Sequence, residues 1–151
     1  MSPMNLLVSI VLTVVPVVPV PGPLLEGFRA PACQRCAGRR GVVIGSRPGD
    51  IVRAVRSGQI TFVGQVGGLL YVVQNISPGV RVTYGWLAST SRSEVGDQIL
   101  AGHPLGIAGE RTYLGVRVGQ TYVEPLRYLG LGGARLRGPG HVIVGPRVAS
   151  R

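Results

Sequence analysis

Few residues in this 151-residue chain are equipped for chemistry. Cys33 and Cys36 form the segment CQRC. Beside a βαβ unit, a C-x-x-C spacing reads as a redox dithiol, and with a second pair it reads as half of a structural zinc site. Neither companion is visible, so a local disulfide that stiffens a loop is the favoured reading. The chain has two histidines, His103 and His141. His103, in AGHPLG, reads as a solvated turn residue, and so does His141 in the carboxyl-terminal tail. A Ser-His-Asp set can be written from Ser89 or Ser91, His103 and Asp97, but neither serine sits on a nucleophile elbow. The six acidic residues are scattered, which argues against paired-carboxylate glycoside cleavage. No glycine-rich phosphate loop opens a helix.

The elements that must position any site are strands. QITFVGQV (Gln59–Val66) alternates, with Ile60 and Phe62 on one face and Thr61 on the other. VRVTYGW (Val80–Trp86) places Val80, Val82, Tyr84 and Trp86 on one face, with Arg81 and Thr83 opposite. A period of two over such runs is the pattern of half-buried strands. Turn residues separate them. SRPGD (Ser46–Asp50) sets a fixed φ before a permissive one, and VGG and SPG mark further turns. Gly119-Gln120 reads as a hairpin tip. EPLRYL (Glu124–Leu129) suits one short helical turn, and HVIVG (His141–Gly145) an edge strand. Many short strands at close spacing, with hardly any helix and no internal repeat, predict an all-β sandwich or barrel-like domain.

All sixteen basic residues are arginine, and the net charge is +10. Guanidinium groups favour carboxylate and phosphate partners through their planar donor fork. Such a charge attracts any anionic polymer, whether nucleic acid, lipid headgroup or wall polymer. Trp86 and the five tyrosines form no stacking series along one strand, which weighs against a single-stranded nucleic-acid binder.

The amino end is apolar. NLLVSIVLTVVPVVPV (Asn5–Val20) has the character of a secretory h-region, although basic residues and a clean small-residue cleavage site are lacking. It is shorter than the roughly 20 residues of a stable membrane span, and prolines interrupt it. The expected organisation is a signal peptide or short apolar export anchor over 1–23, and a linker with the C-x-x-C loop over 24–40. A β domain follows over 41–129, then a Gly/Arg-rich tail over 130–151. The chain is therefore expected to be secreted or held in the cell envelope, touching membrane only through its amino-terminal segment.

The order of the segments resembles the LytM/lysostaphin-type family of zinc peptidoglycan endopeptidases. RRGVVIGSRPGDIVRAVRSGQITFVG is similar to the family's opening H-x-G-x-D, turn and following strand. RVTYGWL resembles its x-T-x-Y-x-H-L. SEVGDQILAGHPLGIAG resembles its V-x-x-G-D-x-V-x-x-G-Q-x-I-G-x-x-G. RTYLGVRVGQTYVEPLRYL resembles its closing H-L-H-F segment. The resemblance covers about Ala32 to Leu129 and implies a compact antiparallel β-sandwich with a central groove.

It also implies where zinc would be held, and there the sequence departs from the family. The zinc-ligand positions map to Arg39, Val43 and Tyr113, and the positions of the assisting histidines map to Trp86 and Arg111. A catalytic zinc needs three protein ligands from His, Asp, Glu or Cys and an open position for water. Arginine has no acceptor, valine no donor atom, and tyrosine serves poorly unless ionised. The expectation is a degenerate member with no cofactor and no catalysis, which binds peptidoglycan or regulates a cell-wall hydrolase. Its groove would take an anionic, peptide-like ligand through Arg39, Arg111, Trp86 and Tyr113. The alternatives are a weak or unconventional zinc endopeptidase, and a basic polyanion-binding β domain; nucleic acid is not the expected partner.

Overall fold

β-Branched and aromatic side chains dominate the segments between the turns, and such residues fit a pleated, half-buried surface. The computed structural model describes residues 16–131 and folds these segments into nine strands. They are β1 (Leu24–Glu26), β2 (Gly41–Gly45), β3 (Ile51–Arg53), β4 (Gly58–Val66), β5 (Leu69–Ser77), β6 (Val80–Ser89), β7 (Gln98–Ile99), β8 (Pro104–Val118) and β9 (Thr121–Val123). They form one antiparallel sheet in the order β1-β2-β8-β6-β5-β4-β7, with β3 and β9 also paired to β8. The all-β architecture expected from the pattern is what the chain adopts. The short helix α1 (Pro125–Tyr128) falls in the expected segment, and the Glu124 carboxylate caps it by accepting from the Leu126 and Arg127 amides.

The turns obey their chemistry. Gly67 and Gly68 join β4 to β5 with φ of +58° and +81°, a pair of left-handed residues that matches the twist of a tight hairpin. Gly119, with φ of +58°, begins the turn between β8 and β9, at the expected tip.

One face of the sheet builds the core. Val42, Ile44, Val52, Ile60, Val72, Val82, Tyr84, Leu105 and Leu114 are all buried there. Tyr84 is the largest of them and carries a polar end into the core. Its hydroxyl donates to Gln74 Oε1 (2.9 Å) and accepts from the Val55 amide (2.9 Å), and Gln74 Nε2 donates to the Arg56 carbonyl (2.7 Å). Every group in this chain of bonds is paired, so the polar tip costs little to bury.

Two alternation readings are corrected by bulges. The register slips between Ile60 and Phe62, so Ile60 enters the core while Phe62 emerges on the outer face, 38% exposed. It slips again between Gly85 and Leu87, where Trp86 has φ of +63°. Trp86 therefore leaves the face of Val80, Val82 and Tyr84. An extra residue in one strand reverses the side on which the next side chain lies.

The amino-terminal stretch is part of the fold from Val18 onward. Val20 is fully buried in the core, and β1 pairs with β2. The Pro19 carbonyl accepts from the Arg53 amide (2.7 Å), and the Pro23 carbonyl accepts from the Gly45 amide (2.8 Å). Proline brings a carbonyl and no N–H, and its fixed φ keeps the chain extended, so this run suits an edge where acceptors alone are wanted. Residues that the sequence divides between leader and linker thus complete the sheet. At the other end, Leu131 is fully buried beyond the expected boundary at Leu129. The remaining tail, including the strand expected at His141–Gly145, lies outside the described residues, as does most of the apolar leader. Among the described residues, no helix is long and apolar enough to cross a membrane.

Candidate functional site

The outer face of the sheet carries an aromatic row. Tyr71 of β5 stands opposite Gly85 of β6, and Gly85 opposite Tyr113 of β8. Tyr113 stands opposite Val43 of β2, and Val43 opposite Glu26 of β1. Five strands thus bring one row of side chains together. Glycine makes room for the rings: a β-carbon on Gly85 would lie 2.5 Å from Cε1 of Tyr71, and one on Gly41 would lie 2.5 Å from Cζ of Tyr113.

The bulge drops Trp86 into this row. Its ring centroid is 5.7 Å from that of Tyr113, tilted by 33°, and its indole N–H donates to the Tyr71 hydroxyl at 3.2 Å. Tyr71 and Tyr113 meet edge to face at 6.5 Å. These are the separations at which aromatic pairs attract. Burial pushes the Tyr113 phenol up to about 12; the nearby Tyr122 and Tyr71 add to this, and Arg40 opposes it.

A loop closed by Cys33 and Cys36 frames the other side. The two cysteines are bonded to each other, as their spacing suggested. Arg39 and Arg29 exchange backbone hydrogen bonds of 3.0 and 2.8 Å across the base of the loop. Arg40 donates to the carbonyls of Gln34 (2.6 Å) and Cys36 (3.2 Å), and its guanidinium sits 5.6 Å from the centre of the Tyr122 ring.

The result is a cleft of about 320 Å³ lined by Arg39, Val43, Trp86 and Tyr113, together with Glu26, Arg40 and Tyr71. Four of the five positions read from the sequence converge there. Arg111 does not line it: it pairs with Gly45, two residues along β8 from Tyr113, and is exposed. Besides Gly38 and Gly41, three lining residues with reactive or aromatic side chains escaped the sequence reading. Tyr71 was accessible through the alternation of Tyr71 and Val73 in β5, whereas Glu26 and Arg40 lie in what reads as a linker.

The other sequence candidates engage elsewhere. The Ser89 and Ser91 hydroxyls hydrogen-bond to each other at 3.0 Å, and the Asp97 carboxylate accepts from the Glu94 amide at 2.9 Å. His103 is exposed in its turn, with its amide donating to the Leu100 carbonyl.

Does the cleft suit zinc? Among its lining residues, Glu26 alone offers a carboxylate, and there is no imidazole or thiolate. Tyr113 could offer only a phenol that holds its proton far above neutral pH. Among the described residues, no three His, Cys, Asp or Glu side chains form a metal-binding group. The donor set does not fit a catalytic zinc.

No family model and no curated protein sequence matches this chain. Its three-dimensional arrangement does match known domains. A catalytic-domain mutant of the prophage-encoded M23 protein EnpA from Enterococcus faecalis superposes with a TM-score of 0.61 over 73% of this chain and 93% of that one, at 17% identity. The catalytic domain of the antimicrobial peptidase lysostaphin from Staphylococcus simulans gives 0.62 over 71% and 91%, at 20% identity. The fold is that of the LytM/lysostaphin-type peptidase domain. A third match is a chain of the SpoIIIAH–SpoIIQ complex, with a TM-score of 0.63 over 75% of this chain and 99% of that one, at 15% identity. In this LytM-type fold, the aromatic row and the disulfide-framed loop meet at one cleft on the outer face of the sheet.

Proposed function

We propose that this protein is a non-catalytic LytM-type domain of the cell envelope that binds peptidoglycan, or a hydrolase acting on it, through the cleft between Trp86 and Arg39. The observation that carries the reading is the chemistry of the lining. The sequence resemblance assigns three zinc-ligand positions to Arg39, Val43 and Tyr113, and all three border one cleft, where Arg39 and Val43 have no lone pair to offer and Tyr113 is a poor ligand as a protonated phenol. The lining instead includes two arginines, Arg39 and Arg40, and three aromatic residues, Tyr71, Trp86 and Tyr113; the Arg40 guanidinium is engaged by the Gln34 and Cys36 carbonyls and the Tyr122 ring, so Arg39 is the cation assigned to a ligand's carboxylate. Guanidinium groups pair with carboxylates, and aromatic faces pack against peptide and sugar surfaces. Peptidoglycan stem peptides, with their free carboxylates, are ligands of this kind.

The backbone at Trp86 supports a binding role. A bulky residue at φ of +63° is uncommon, and it persists where the surroundings hold it. Here the strain aims an indole into the cleft.

The test is binding to purified murein across a salt series. The wild-type chain should co-sediment with murein, and affinity should fall about tenfold in Arg39→Ala and in Trp86→Ala. Unchanged affinity in both variants rejects the cleft as the binding site.

A further inference from the structure

A second cavity lies on the same outer face, on the far side of Tyr71. It is a groove of about 530 Å³, open to solvent, lined by Phe62, Val66, Tyr71, Val73, Thr83 and the exposed Arg81 among others. Phe62 reaches it only because of the bulge after Ile60. The body of the cavity is apolar, and no carboxylate lines it. Its one charged lining group is Arg81, which stands directly opposite Arg117 on the neighbouring strand. Like charges facing each other across a sheet destabilise the pair, and an anion placed between them removes that cost.

We infer that this cavity holds the carboxyl-terminal residue of a peptide, with the apolar side chain against Phe62 and Val73 and the terminal carboxylate on Arg81. A chain terminus carries both groups on one α-carbon, which suits an apolar pocket with a single cationic end. The planar guanidinium donates to both oxygens of a carboxylate, giving direction as well as charge. Thr61 and Thr83 border the same space; the Thr61 hydroxyl donates to the Val73 carbonyl at 3.4 Å, so Thr83 is the threonine assigned to the peptide's amide groups. The site is separate from the cleft of Arg39 and does not depend on what that cleft binds; Tyr71 is the wall they share.

Trp86, the sole tryptophan, reports on both sites, since its indole is hydrogen-bonded to the Tyr71 hydroxyl. The full chain is titrated, following Trp86 fluorescence, with acetyl-Gly-Gly-Leu as the free acid and as the carboxamide. The free acid should bind saturably, with the amide about tenfold weaker or worse. Arg81→Gln should bring the acid down to the level of the amide, and Phe62→Ser should weaken both. Arg81→Gln should leave murein co-sedimentation unaltered, whereas Arg39→Ala should weaken co-sedimentation and spare the peptide, so the two proposals fail separately. Equal affinity for acid and amide, or undiminished affinity in Arg81→Gln, overturns the inference.

Discussion

Tyr113 leans against the backbone of Gly41 on the neighbouring strand, so closely that a β-carbon there would stand 2.5 Å from the ring's Cζ and 2.5 Å from the Leu114 carbonyl oxygen. The ring can turn away, but the backbone oxygen cannot. Gly41→Ala should therefore destabilise the domain by about 1–3 kcal/mol and displace Tyr113 from beneath Trp86. Urea unfolding followed by tryptophan fluorescence checks both effects. An unchanged midpoint with an unchanged native emission would show that the contact is looser than described.

The polar tip of Tyr84 gives a second prediction. Tyr84→Phe keeps the ring but leaves the Val55 amide without its acceptor and Gln74 Oε1 without its donor. Leaving buried polar groups unpaired costs about 1–3 kcal/mol. The loss should appear in the unfolding midpoint with no change in its denaturant slope.

Val20 tests the amino-terminal boundary. Val20 is fully buried and the Pro19 and Pro23 carbonyls bond to the sheet, so two chains are compared, one beginning at Pro16 and one at Leu24. A chain beginning at Leu24 should be less stable by several kcal/mol, losing a core side chain and two backbone bonds (roughly 1–3 kcal/mol for the side chain alone). Equal stability of the two chains would place residues 16–23 outside the cooperative unit.

Alkaline titration separates the tyrosines. Tyr113 is pushed up to about 12 by burial, and Tyr84 higher still, also by burial, against an ordinary value of 10.0. A raised folded value favours the protonated phenol, so its contribution to stability is complete below about pH 10 and is lost as pH climbs toward 12. Absorbance at the phenolate band should show late ionisation that shrinks in Tyr113→Phe. Phenolate formation by every tyrosine near pH 10 would contradict the buried setting of the cleft.

Turn chemistry made the all-β class and several strands of this domain readable in the sequence, but not their order in the sheet. Gly67-Gly68 and Gly119-Gln120 can do little else between β-branched runs, and the segment order resembles that of the LytM/lysostaphin-type family, whose fold the chain adopts. The bulges at Ile60–Phe62 and Gly85–Leu87 were not readable, because period-two reasoning has no term for an inserted residue. Each one moved an aromatic ring, Phe62 or Trp86, to the outer face. Glu26 and Arg40 stayed hidden for another reason. A three-residue edge strand and a disulfide loop have too little periodicity to distinguish them from a linker, and only the pairing of β1 with β2 and the contact of Arg40 with Tyr122 of β9 give them positions. Arg39, Val43, Trp86 and Tyr113 could be assigned by position in a motif, which fixes neighbours along a strand, while the exclusion of Arg111 from the cleft required the register of β2 on β8.

Zinc content tests the central claim most directly. The purified protein is equilibrated with excess zinc, dialysed, and measured by elemental analysis at neutral pH. A cleft lined by Arg39, Val43 and Tyr113 should retain no stoichiometric metal, and murein should stay intact in its presence. One zinc retained per chain, removable by a chelator together with release of peptide fragments from murein, would contradict the account.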